Sequence, residues 1–123
     1  MKKAFGLTSI ITILLLLAST LKVTAQPVDV SGKWNMKVET SAGNGTPVFV
    51  LKQTGETITG TYMGQLGEAA VTGTLKQKEI RLEFNVGEYQ VVYTGTVDGN
   101  NMLGKVSIGD VAQGTFSGTK EVK

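Results

Sequence analysis

Residues 81–94 read RLEFNVGEYQVVYT. Leu82, Phe84 and Val86 alternate with Arg81, Glu83 and Asn85, a period of two that gives an extended strand one oily face and one wet face. Gly87 and Glu88 interrupt the alternation, and Tyr89, Val91 and Tyr93 resume it. A two-residue loop fixes which residues face each other across a hairpin, and a correct register must match apolar with apolar. With Gly87 and Glu88 as that loop, Phe84 faces Val91 and Leu82 faces Tyr93. Arg81, Glu83 and Asn85 then meet Thr94, Val92 and Gln90 on the far face. The segment is therefore an antiparallel hairpin with one buried side.

The same test extends in both directions. Gly99 and Asn100 as a loop set Val97 against Met102 and Tyr93 against Val106. Gln77 and Lys78 set Leu75 against Ile80 and Val71 against Phe84. Gly55 and Glu56 set Leu51 against Gly60 and Phe49 against Tyr62. Upstream, Trp34, Met36 and Val38 share a face opposite Lys33, Asn35, Lys37 and Glu39. Leu66 and Gly67 as a loop join Tyr62 to Val71. The last turn has two readings: a three-residue loop of Ile108, Gly109 and Asp110 brings Phe116 inward opposite Met102, while a two-residue loop leaves Phe116 outside.

No stretch from Gly32 onward has helical spacing, so the domain is all-β. Strands starting near Lys33, Val48, Ile58, Val71, Ile80, Tyr89, Met102 and Ala112 number eight. An even count lets the first and last strands pair antiparallel. Closure then removes both exposed edges, and an eight-stranded antiparallel up-and-down β-barrel is expected. A two-sheet sandwich is the alternative. It needs long connections, and only the one near Ser41 to Thr46 exceeds a tight turn.

Thr59 to Tyr62, Thr72 to Leu75 and Thr94 to Val97 repeat a Thr-Gly-Thr pattern. In the registers above Gly60 faces Gly73, and Gly95, Gly104 and Gly114 form a row. Glycine weakens a strand, so a row of them has a purpose: relief for a strongly coiled sheet, or bare backbone against a ligand.

Residues 1–25 combine Lys2 and Lys3, an apolar run from Leu7 to Ala18, and Val23 and Ala25 before Gln26. That order is expected of a cleaved signal peptide, leaving residues 26–123 as the β-barrel domain, secreted or periplasmic. An uncleaved anchor is the alternative, although a spanning helix needs about 20 apolar residues. Cleavage removes Lys2, Lys3 and Lys22 from the 12 basic residues and none of the 10 acidic ones, for a net −1. No basic stripe remains to attract nucleic acid. A wet outer face with Lys33, Lys37, Glu39, Arg81 and Glu83 argues against a barrel in the outer membrane.

Gly32-Lys33-Trp34 at the head of the first strand resembles the Gly-x-Trp signature of the calycin group, which includes lipocalins, fatty-acid-binding proteins and avidins. The likeness covers Ser31 to Lys120 in layout. It implies that Trp34 plugs the closed end of the barrel beneath a basic residue of the final strand, here Lys120. Gly60 to Tyr62 looks like the avidin pattern, but the second tryptophan of a biotin site, a cysteine bridge and the long helix of lipocalins are all missing. The chain is also similar to small lipocalin-like modules of exported bacterial proteins.

The chain has no histidine and no cysteine, which removes His-based catalysis, Cys nucleophiles and the usual zinc ligand sets together. Most of the carboxylates fall in turns or on the wet face and none is expected inside beside a partner, so no catalytic or metal-binding residue is assigned and no cofactor is expected. An eight-stranded barrel is wide enough to be filled by side chains or to hold one small ligand. A small apolar or aromatic ligand would enter at the end carrying Phe49, Tyr62, Phe84 and Tyr89, with Tyr93 beneath and Trp34 and Lys120 as the base. The alternative is a filled core in a protein-interaction, inhibitor or envelope accessory module. Its surface would be the outward Val48, Val50 and Met63, facing a protein partner or a second copy.

Overall fold

A computed structural model describes residues 28–122, so the expected signal peptide at 1–25 lies outside the described residues. The strands are β1 (Gly32–Thr40), β2 (Gly43–Gly45), β3 (Val48–Thr54), β4 (Thr57–Gly64), β5 (Gly67–Lys76), β6 (Glu79–Val86), β7 (Tyr89–Asp98), β8 (Asn101–Ile108) and β9 (Ala112–Lys120). β1 pairs antiparallel with both β2 and β3, each strand from β3 to β8 pairs antiparallel with the next, and β1 also pairs with β9 from Trp34–Lys120 to Thr40–Gly114. The sheet is closed.

Nine segments make eight barrel strands because β2 and β3 share one partner. Val38–Thr40 of β1 pair with β2, and Gly32–Asn35 pair with β3. The break falls at Thr46 and Pro47. Proline has no N–H to give to a ladder, and the Pro47 carbonyl bridges the gap by accepting the Met36 N–H at 3.0 Å.

Four hairpins have the expected two-residue loops and registers, including Phe49–Tyr62, Leu75–Ile80, Leu82–Tyr93 and Val97–Met102. Two others keep the expected faces but slip by two residues. The β4–β5 loop is Gln65 and Leu66, which sets Tyr62 against Ala69 and Gly60 against Val71, not against Gly73. The last loop is Gly109, Asp110 and Val111, which sets Phe116 against Gly104 and Met102 against Gly118. Phe116 points inward, 3% exposed. A slip of two preserves the inward face because strand side chains repeat every second residue, so hydrophobic pattern alone does not separate the two registers. The β5–β6 ladder ends at Thr72–Glu83, one step short of the expected Val71–Phe84 pair. Both residues are nonetheless buried.

The glycine row is likewise offset. Gly95 faces Gly104, but Gly114 faces Val106 on one side and Thr40 on the other. A Cβ on Gly60, Gly73, Gly95, Gly104 or Gly114 would overlap the backbone carbonyl oxygen of Val50, Arg81, Leu103, Thr94 or Glu39 respectively. Neighbouring backbone occupies the space a side chain would need. The glycines serve the coil of the sheet.

The closed end is sealed by the segment leading into β1. Val30 and Trp34 are fully buried, and the Trp34 indole N–H donates to the Val30 carbonyl at 2.9 Å. Gln53 on β3 holds that segment in place. Its Oε1 accepts the Val30 N–H at 2.8 Å, and its Nε2 donates to the carbonyls of Val28 at 3.0 Å and Gly55 at 2.9 Å. Lys120 pairs with Trp34 across β1–β9 and reaches over the segment to the Asp29 carbonyl at 3.3 Å. Asp29 in turn accepts the Ser31 N–H at 2.9 Å, and this bond leads the causes that hold its carboxyl below the usual range.

Two substitutions test these contacts by urea denaturation. Gly104→Ala should cost about 3 kcal/mol or more, because the added carbon meets backbone that cannot swing aside. Gln53→Ala should cost about 2–3 kcal/mol, because it strands the part-buried Val30 N–H. A cost below about 0.5 kcal/mol in either variant would refute the corresponding contact.

Candidate ligand site at the mouth of the barrel

Alternation drives five rings into one cluster. Phe49 sits at its centre, edge-on to Tyr62 (centroids 5.4 Å apart), Phe84 (5.8 Å) and Tyr93 (5.1 Å). Tyr62 stacks on Phe84 at 4.2 Å, and Tyr93 leans on Phe116 at 4.9 Å. Tyr62 reaches Phe84 across β5, where its partner is the small Ala69. These edge-to-face and offset contacts satisfy the ring quadrupoles and fill the middle of the barrel.

The cluster redistributes the residues expected to contact a ligand. Phe49 pairs directly with Trp34, so the stagger of the strands puts it at mid-barrel and fully buried. Phe84 is buried beneath Tyr62. Tyr89 has the inward parity but is 48% exposed. The β7–β8 ladder begins only at Val91–Ile108, so Tyr89 overhangs the rim with no strand on that side to cover it. Of the five residues, Tyr62 and Tyr93 line a cavity.

That cavity has a volume of about 100 Å³ and opens to solvent at the end opposite Trp34. Val38, Val91, Val106 and Ile108 supply its apolar wall. Thr40 to Pro47 form one side of its rim, and Gln65 and Leu66 of the β4–β5 turn form the other. The rim was legible in part, since the connection near Ser41 to Thr46 exceeds a tight turn. Gln65, Leu66 and the broken β2 segment carry no alternation, so pattern reading passes over them. It passes over Gln53 as well, which occupies an inward position as a polar residue.

Burial raises the Tyr93 hydroxyl above the ordinary phenol value, and the neighbouring Tyr62 raises it further. Burial also raises Tyr62, opposed by a hydrogen bond from the Leu66 backbone. Outside the barrel, Val48 and Met63 are directly paired on β3 and β4, with Val50 one step along. Val50 is 42% and Met63 40% exposed, while Val48 is half-buried. Among the described residues no three acidic side chains cluster as metal ligands would.

No family model and no curated protein sequence matches the chain. Among solved structures it is similar to a redesigned β-barrel, mFAP0, bound to DFHBI. The TM-score is 0.55 at 14% identity, covering 74% of this chain and 98% of that one. The likeness is one of fold, a β-barrel. Fatty-acid-binding protein 1 of Echinococcus granulosus matches with a TM-score of 0.47 at 11% identity, over 76% of this chain and 98% of that one. The Schistosoma mansoni fatty acid binding protein in complex with arachidonic acid matches with a TM-score of 0.46 at 13% identity, over 75% and 96%.

Both shifted tyrosines make stability depend on pH. Their folded-state values lie above those of the unfolded chain, so their contribution is fully present below about pH 10 and is lost as pH rises through the higher folded values. The melting temperature should therefore fall above about pH 10. Tyr93→Phe should fall less steeply, because its unfolded state has one fewer phenol to ionise. Parallel slopes for the two proteins in melts from pH 9 to 11.5 would exclude this role for Tyr93.

Proposed function

We propose that residues 26–123 form an exported, non-catalytic barrel that binds a small apolar or aromatic molecule at its mouth. The observation that carries this reading is the open cavity lined by Tyr62, Tyr93 and an apolar wall, at the end of the barrel opposite Trp34. Trp34 and Lys120 close the other end, as the Gly-x-Trp resemblance implies, so a ligand at the mouth has a floor beneath it. The similar redesigned barrel was determined bound to DFHBI, which agrees with a small-molecule role for this architecture. Export rests on the charge and apolar pattern of residues 1–25, in keeping with the lipocalin-like modules of exported bacterial proteins. The absence of histidine and cysteine favours binding over chemistry.

A second reading is supported by the aromatic cluster, which leaves little of the interior empty. On that reading the barrel is a scaffold, and Val48, Val50 and Met63 meet a protein partner or a second copy.

Two measurements test these readings. Expressed with its own N-terminus in a bacterial host, the protein should appear outside the cytoplasm with an intact mass beginning at Gln26; a mass beginning at Met1 would contradict cleavage. Native mass spectrometry of that material should show a retained small molecule. A ligand-free monomer that also binds no small aromatic compound would overturn the first reading, and a ligand-free dimer would favour the second.

A further inference from the structure

Among the described side chains that line the mouth cavity, Tyr93 is a buried polar group without a hydrogen-bond partner. Tyr93 is 2% exposed, yet its hydroxyl makes no hydrogen bond among the described residues. Among those residues no fully enclosed side-chain nitrogen or oxygen lacks a partner. The Tyr93 oxygen therefore reaches open space, and the mouth cavity is the space that Tyr93 lines. A phenol buried this deeply normally finds an acceptor. Thr40, the hydroxyl on the same wall, is already committed: it donates to the Gly43 carbonyl at 2.8 Å and accepts the Ala42 N–H at 3.1 Å.

Charge and size narrow what the free donor serves. No residue lining the cavity is charged. A carboxylate entering it would shed water for neutral donors and no cation, which is unfavourable. The volume of about 100 Å³ is below the roughly 300 Å³ at which pockets for drug-sized ligands begin. It also falls short of the roughly 150 Å³ enclosed cavity that admits benzene. Because this cavity is open, a single ring can seat with one edge in solvent.

We propose that the mouth of the barrel selects a compact, uncharged molecule of about one ring that carries an acceptor oxygen, such as a ketone, and that the Tyr93 hydroxyl donates to that oxygen. This rests on the mouth being a ligand site and adds the ligand's chemistry. A long-chain carboxylate fails on both charge and volume.

The test is an NMR titration of the folded domain with acetophenone, toluene and benzoate, which share one ring and differ in acceptor and charge. Acetophenone should bind about tenfold more tightly than toluene, with benzoate weakest. Tyr93→Phe should bring acetophenone down to the toluene affinity, whereas Tyr89→Phe, changed on the exposed rim, should keep the acetophenone preference. Equal affinities for acetophenone and toluene, or a preference that survives in Tyr93→Phe, would overturn the acceptor assignment while leaving the cavity as a ligand site. Tight binding of benzoate would overturn neutrality. If none of the three binds at millimolar concentration, the ligand-site reading falls and the inference falls with it. Should Tyr93→Phe not fold, the alkaline tyrosine transition at 295 nm decides. Acetophenone should move it to higher pH by more than toluene does, and equal shifts would refute the donor role.

Discussion

Closure of β1 against β9 is the constraint on which the rest depends. Seven residue pairs, from Trp34–Lys120 to Thr40–Gly114, join the two ends of the sheet. Eight short strands can meet only if the sheet coils tightly, and tight coiling brings backbone against backbone on the concave side. Inward glycines are the chemical answer, since each leaves empty the position where a carbonyl of the next strand lies. In return the first and last strands of the barrel, β1 and β9, cover each other's edges.

A barrel this narrow cannot be both fully packed and open throughout. Aromatic rings take up the middle, where Phe49 contacts Tyr62, Phe84 and Tyr93 together. The base is occupied by Val30 and Trp34, tied down through Gln53. Only the mouth is left. There the second strand breaks at Thr46 and Pro47 and the β4–β5 turn stands off from it. The cavity is thus a product of interrupted pairing at the rim and not of a hollow core.

The floor of that cavity is tyrosine where most of the core is hydrocarbon. Tyr93 presents a rigid ring to Phe49 and Phe116 and a hydroxyl to the open side. One side chain therefore belongs to the packed cluster and to the solvent-accessible pocket at once. Burial keeps it a neutral phenol, and hence a donor, well beyond the ordinary range. Packing and protonation state are coupled at this residue.

Alternation in residues 81–94 and its neighbours determined the all-β class, the inward face and four hairpin registers, because a period of two and a two-residue loop together leave one consistent pairing. An even count of strands made closure the natural outcome. What pattern could not determine was any choice that preserves parity. The slips that place Tyr62 opposite Ala69 and Phe116 opposite Gly104 keep the same residues inside, and only packing across the closed sheet selects them. Tyr89 shows the same limit: its parity is inward, but burial also requires strands on both sides, and it lies past the end of one ladder. Gln53 and the cavity were settled only in three dimensions, since they depend on residues far apart in the chain meeting at the two ends of a cylinder.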